Sequence, residues 1–244
     1  HAIEDYTEPA IHIRHNDKNT SMLLKYVDQS SNAISNGVNE TVITLKDDKY
    51  PVTVKLHYVA YGKENIIRTF SEISHEEKKP VILCKYASSM LHLNSSKYFL
   101  TEFSGDWAHE ANVTERELAF GKKVIDTKLG ARANMFVSPF FQLALDNPSQ
   151  ENAGEVLVGT IGWTGNFRFT FEVDNKNELR IISGINPYDS EYSLPAKEVF
   201  RTPDFYFTYS TQGKGEASRS FHDWARNHQV KNGNDTRMTL LNNW

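Results

Sequence analysis

The sequence predicts an all-β protein built as an antiparallel sandwich, and three observations lead there. Apolar residues recur with period two along most of the chain, the signature of half-buried strands. The runs are separated by short clusters of turn-forming residues rather than by long polar stretches. Helical periodicity appears once, near the end, so there are no crossover helices to join parallel strands.

Taken in order, strand-like runs cover 10–14, 22–27 and 41–46. The clearest is 51–61, where Val52, Val54, Leu56, Tyr58 and Ala60 fall on one face and Thr53, Lys55 and His57 on the other. Further runs span 66–73, 80–87, 98–103, 123–128, 154–161, 167–173, 179–185 and 205–209. Turn chemistry sits between them at Asn36-Gly37, Asp47-Asp48, Asp174-Asn175-Lys176-Asn177 and Asn186-Pro187. Over 215–229, Phe221, Trp224, Ala225 and His228 recur at i, i+3, i+4 and i+7, while Arg219, Asp223, Arg226 and Asn227 face away, which predicts a helix. Gln212-Gly213-Lys214-Gly215 leads into it, and Lys231-Asn232-Gly233-Asn234-Asp235 follows as a polar linker. The apolar run Met238 to Leu241, followed by Asn242-Asn243-Trp244, reads as one further strand. The expected organisation is a β-body over 1–213, a linker helix and loop over 214–236, and the first strand of another domain over 237–244.

Composition narrows the function classes. The chain has 244 residues, a net charge of −4 and 39% hydrophobic residues, with a mean hydropathy of −0.54 and a pI near 6.2. No basic field exists to displace counterions from a phosphate backbone, which argues against nucleic acid as a partner. No apolar run reaches the length of a membrane-spanning helix, so no membrane partner is expected. The lone Cys84 lies in the apolar run Val81-Ile82-Leu83-Cys84 and reads as a buried structural thiol. Compartment is not legible: cytoplasmic and periplasmic or secreted bacterial locations stay open.

Motifs for independent chemistry are missing. There is no His or Cys pair at metal-ligand spacing, no nucleophile elbow and no phosphate loop, so neither a metal nor a cofactor is expected. His12, His57, His109, His222 and His228 occur singly and read as structural. Asp106, beside Trp107 and Glu110, reads as a turn with a solvated carboxylate.

The aromatic residues are more informative. An indole beside amide side chains suits a sugar, because the ring covers the apolar C–H face while amides meet the hydroxyls. In Gly162-Trp163-Thr164-Gly165-Asn166-Phe167 the glycines are expected to allow a tight positive-φ connection that exposes Trp163 and Asn166 at its tip; the alternative folds Trp163 back over the end of the sandwich. Asn243 and Trp244 form a second candidate pair of sugar contacts.

Several motifs, in order, carry a family resemblance. They are Asp5-Tyr6-Thr7-Glu8-Pro9-Ala10, Gly105-Asp106-Trp107-Ala108-His109-Glu110, Gly154-Glu155-Val156, Thr164-Gly165-Asn166-Phe167, Gly184-Ile185-Asn186-Pro187, Thr202-Pro203-Asp204, Ser218-Arg219-Ser220-Phe221-His222 and Leu241-Asn242-Asn243-Trp244. Together they resemble the amino-terminal region of the α-galactosidases of glycoside hydrolase family 36, over nearly the whole chain. The resemblance implies a β-supersandwich of the galactose mutarotase-like type, then a helix leading into a (β/α)8 barrel whose first strand carries Asn-Asn-Trp. It places both catalytic aspartates on later barrel strands, so no catalytic residue is expected in this chain. It also implies α-galactosides such as melibiose or raffinose as substrates of the parent enzyme, contact with the chain's own barrel, and a homo-oligomer.

The chain departs from the family pattern at Thr7 and His109, where the family usually has Arg. It also reads Ala133-Asn134-Met135 in place of Ser-Ser-His ahead of Pro139-Phe140-Phe141. These changes bear on glycoside specificity and on contacts with neighbouring domains. Two readings follow: the non-catalytic amino-terminal domain of a retaining α-galactosidase, or a free-standing carbohydrate-binding sandwich.

Overall fold

The computed structural model describes residues 7–243 and shows two facing sheets with a helix on the back of the larger one. Numbered in chain order, the larger sheet runs β2 (Leu24–Ser35), β3 (Val38–Asp47), β4 (Val52–Tyr61), β5 (Ile66–His75), β16 (Asp204–Ser210), β11 (Glu155–Gly162), β10 (Val137–Leu145), β7 (Tyr98–Ser104) and β8 (Asn112–Glu117), with β15 (Val199–Arg201) also on β5. The smaller sheet runs β1 (Ile11–Arg14), β6 (Val81–Asn94), β13 (Glu178–Ile185), β12 (Phe167–Val173) and β9 (Gly121–Asp126), with β14 (Tyr192–Leu194) on β6. The strand pairs among the described residues are antiparallel throughout. This is the sandwich that period two and short turns predict.

Inward-facing side chains of the two sheets meet in two core regions. In one, Phe141 and Phe205 of the larger sheet pack among Phe167, Phe169 and Phe171 of the smaller. Phe141 makes edge contacts with Phe169 at 5.2 Å and with Phe171 at 4.9 Å between ring centroids. In the other, Val52, Val54 and Ile73 pack against Ile13, Val81, Leu83 and Leu194.

Local chemistry sets several boundaries. Asn36 and Gly37 form the two-residue turn between β2 and β3, where Ser35 pairs with Val38 and Gly37 takes φ +76°. That turn extends β2 well past 22–27, because its polar second half is held by the β3 ladder rather than by burial. Strands β8, β10, β14 and β15 were not legible in the sequence. β8 is exposed along its length, and β10 buries Phe141 and Leu143 on one face and Ala144 on the other, which leaves no alternation to read.

β4 keeps the two faces its alternation predicts, but burial changes sides along it. Val52 and Val54 are buried on the inner face, whereas from the middle onward the outer-face residues His57 and Val59 are buried. Val59 packs there against Val38 and Phe70, and His57 stacks on Phe70. The helix α1 (Gly213–Trp224), continued by a π-helical turn over Ala225–Gln229, lies on the back of the larger sheet. Ala217 and Phe221 rest on Ala144, Val156 and Val158, and Trp224 rests on Ile66 and Tyr206.

The helix begins two residues before the expected 215. Its first amides need acceptors outside the helix. The N–H groups of Gly213, Lys214 and Gly215 donate to the carbonyls of Gly154, Gln150 and Glu151. Among the described residues 237–243 forms no strand, since none of the described strands pairs with it, and Trp244, the last residue of the strand expected over 237–244, lies outside them. Among the described residues no helix is long and apolar enough to cross a membrane.

Candidate functional site

The side chains expected to meet a sugar do not converge. Trp163 and Asn166 lie on the crossing from β11 in the larger sheet to β12 in the smaller. Neither Gly162 nor Gly165 takes the expected positive φ. Gly165 instead lies against the indole: a Cβ there would stand 2.8 Å from Nε1 of Trp163. The indole thus folds back over its own loop and stays 40% exposed. Asn166 is half-buried rather than at a tip: its side-chain oxygen accepts from the Gly130 N–H at 2.7 Å, and its carbonyl accepts from the Asn186 N–H. Asn243 is exposed on the tail beyond the turn closed by Asp235, and Trp244 falls outside the described residues.

Several residues of the motifs that carry the resemblance hold the fold. Asn186 is buried and donates to the Thr127 carbonyl at 2.9 Å, while its own oxygen accepts from the Tyr188 N–H at 3.0 Å. Thr202 is buried and accepts from the Ser71 N–H at 2.9 Å, tying the start of β16 to β5. Asp204 binds Arg201 and accepts from the Tyr206 hydroxyl at 3.1 Å; burial first, then the adjacent Asp204 carboxylate, push the Tyr206 phenol up to about 12. Glu8 lies across the smaller sheet and pairs with Lys85 and Lys122. Burial alone would raise the Glu8 pKa, but those two ammonium groups outweigh it and hold the carboxylate below its ordinary value.

The single histidines behave as structural groups where they are buried. His57 stacks on Phe70 at 4.3 Å and lies 3.0 Å from Glu40. His15 and His75, which no pattern in the sequence singles out, are also buried: His15 stacks on Tyr50 at 3.6 Å and pairs with Glu77 at 2.7 Å, and His75 meets the Leu194 carbonyl at 2.9 Å. Asp106 forms the expected turn, accepting from the Trp107 N–H at 2.7 Å, with Trp107 85% exposed. Cys84 is only half-buried, beside Arg14 and Glu191; burial pushes its thiol up, which keeps it protonated and unreactive. Among the described residues no group of three His, Cys, Asp or Glu side chains is placed to hold a metal.

One concavity was not legible in the sequence. Between the strands β2–β5 and β6 lies a cleft of about 540 Å³. Leu24, Leu45 and Leu56 line one side, and the Ala87 to Met90 stretch of β6 lines the other. The size lies within the range of about 300–1,000 Å³ typical of small-molecule sites. Glu8, His57, His92 and Arg180 also line it.

Comparisons with known proteins identify the family. Residues 1–195 match the model described as the glycosyl hydrolase family 36 N-terminal domain. The chain is 27% identical over 255 residues to alpha-galactosidase 2 of Hypocrea jecorina, covering 98% of this chain and 34% of that protein. It is 29% identical over 204 residues to alpha-galactosidase AgaA of Geobacillus stearothermophilus, covering 83% of this chain and 28% of that protein. A crystal structure of an AgaA variant in complex with raffinose superposes with a TM-score of 0.88 at 25% identity, over 93% of this chain and 33% of that one. The galactosidase domain of the alpha-galactosidase-sucrose kinase AgaSK shares the fold, with a TM-score of 0.90 at 22% identity, over 96% of this chain and 34% of that one. The chain therefore spans about a third of the length of these relatives, and it belongs to the glycosyl hydrolase family 36 N-terminal domain family.

Proposed function

We propose that this chain is the non-catalytic amino-terminal domain of a retaining α-galactosidase, and that it seats the catalytic barrel and contributes to a homo-oligomer. The observation that carries the reading is the family match combined with the way the helix is fixed. Its start is hydrogen-bonded to the 150–154 loop, and Trp224 near its end is wedged on Tyr206 with ring centroids 4.6 Å apart. A rigid helix delivers the chain to a defined place. Beyond it, Met238, Leu240 and Leu241 are 94%, 89% and 88% exposed, an apolar segment suited to pairing within a following barrel.

In this reading the chemistry belongs to two aspartates of the barrel, one nucleophilic and one acid/base, which a retaining mechanism requires about 5–5.5 Å apart. Relatives crystallised with raffinose and stachyose support α-galactoside oligosaccharides, melibiose and raffinose among them, as the parent enzyme's substrates. Asn243 and Trp244, at the end of the first barrel strand, would line the entrance to its site, and Trp163 is retained as a further ring available to sugar.

The test compares the 244-residue chain with the full open reading frame on a nitrophenyl α-galactoside. The full protein is expected to turn over and the chain alone to be inert. Turnover by the pure chain, surviving controls for host enzyme, would overturn the reading. The other reading, a free-standing carbohydrate-binding sandwich, would be established by an open reading frame that ends at Trp244.

A further inference from the structure

We propose that the free edge of β2 is the surface through which two copies of this chain join, the two edges pairing antiparallel about a two-fold axis at Ser31. β2 ends the larger sheet, and among the described strands it pairs only with β3. It is 12 residues long, and every residue after Leu24 is exposed. Its outer side therefore offers a row of backbone donors and acceptors to solvent.

A bare edge invites another strand, and proteins ordinarily blunt their edges with shortness or charge. The other sheet ends follow that rule. β8 has 6 residues and carries Glu115, Arg116 and Glu117, β9 has 6 and carries Lys122, Lys123 and Asp126, and β1 has 4 and carries Arg14. β2 departs from it, because its stretch 29–35 and the Asn36 that follows hold no charge and no proline. The pairing with β3 slips at Val27 and again at Ile34, so 28–33 between the two bulges is a regular ladder.

A second copy is the occupant this edge fits. Side chains alternate between the faces of a strand, so a two-fold axis normal to the sheet must set each residue opposite one of its own face. With the axis at Ser31, Ser30 meets Asn32 and Gln29 meets Ala33; the paired stretch is uncharged, and both Asp28 side chains fall outside it. Ile34 of one copy comes beside Val27 of the other. These are 54% and 49% exposed in the single chain, so the pairing also covers apolar surface. One edge meets one edge, and the contact closes at two copies. The inference deepens the homo-oligomer proposed above and rests on that part of the reading alone, since it uses neither the barrel nor its activity.

The experiment is sedimentation equilibrium of the 244-residue chain. A monomer–dimer equilibrium is expected with Kd on the order of 10 μM, in keeping with a small interface. Gln29→Lys combined with Ser31→Lys gathers four ammonium groups along the seam and should weaken association at least about tenfold, with the circular dichroism spectrum unchanged because both sites are exposed. Val113→Lys combined with Thr114→Lys, the same change on the exposed β8 edge, should leave it as it is. In Ser31→Cys the facing Cα atoms stand about 4.5–5.5 Å apart, within disulfide range, so mild oxidation should give a covalent dimer that the parent, whose one thiol is Cys84, does not form. A chain still monomeric at roughly 100 μM, a dimer that the β2 lysines leave intact or the β8 lysines dissociate equally, or a Ser31→Cys chain that cross-links no more than the parent would each overturn the assignment. A dimer indifferent to the β2 lysines would do so while leaving the homo-oligomer standing on another surface.

Discussion

The carboxylate of Glu64 accepts a hydrogen bond from the Asn227 side chain at 2.9 Å, joining the turn between β4 and β5 to the π-helical turn that ends the linker helix. His228 Nε2 lies 3.3 Å from the same carboxylate, and its ring packs on Tyr61 at 4.8 Å. Glu64 is only 6% exposed. This buried acid therefore ties the end of the helix to the sandwich.

Burial would raise the Glu64 pKa, but Asn227 and His228 outweigh it and hold the group below its ordinary value. A depressed folded-state pKa adds stability that is fully present above the unfolded carboxylate pKa of about 4.3 and is lost as pH falls through the folded value. Glu64→Gln is thus expected to cost about 1–3 kcal/mol at pH 7 and progressively less as the pH falls below 4. Denaturation of both forms across that range, with amide exchange over 213–229, checks it. A deficit that does not shrink at low pH would sink this account of Glu64.

Gly213 starts the helix at φ +81°, and a Cβ there would stand 2.6 Å from the Ala153 nitrogen and the Gln150 oxygen. Both contacts are backbone, so no side chain can swing aside. Gly213→Ala should cost about 2–3 kcal/mol, lowering Tm by roughly 5–10 °C in a chain of this size. A thermal melt within 2 °C of the parent would show that the 150–154 loop can yield.

Gly159 of β11 lies under the rings of Phe141 and Phe205, whose atoms would be 2.6 and 2.7 Å from an added Cβ. Overpacking by Gly159→Ala should cost about 1–3 kcal/mol. Deleting the ring with Phe141→Ala should cost more, about 3–5 kcal/mol, because it leaves a cavity. Combining Gly159→Ala with Phe141→Leu should recover part of the first loss, since the two sites share the same space. Strict additivity in urea unfolding would contradict that coupling.

In the full-length protein, Trp244→Ala is expected to weaken α-galactoside binding by about 1–3 kcal/mol, the range for a large apolar surface removed from contact, with Tm unchanged. This prediction rests on the proposed place of Trp244 at the barrel mouth. A variant that melts lower but keeps its kinetic constants would make the indole a packing residue.

The sequence by itself determined the sandwich. Alternation survives wherever a strand has one wet face, as in the first half of β4, and turn residues such as Asn36-Gly37 mark the reversals by local backbone preference. The helix over Phe221 to His228 was legible because its apolar stripe faces a single surface. Tertiary structure decided the rest, for reasons no local window contains. β10 is covered on the back by α1, so its burial there follows from a neighbour far along the chain. β8 is fully exposed and exists because β7 supplies its hydrogen bonds. The same holds for the candidate site. Asn166 reads as a free amide until Gly130, 36 residues away, takes its oxygen. Ser88 reads as an ordinary strand residue until the slip in pairing with β13 makes it the extra residue of a bulge, because a bulge is a property of two strands in register and not of either one alone.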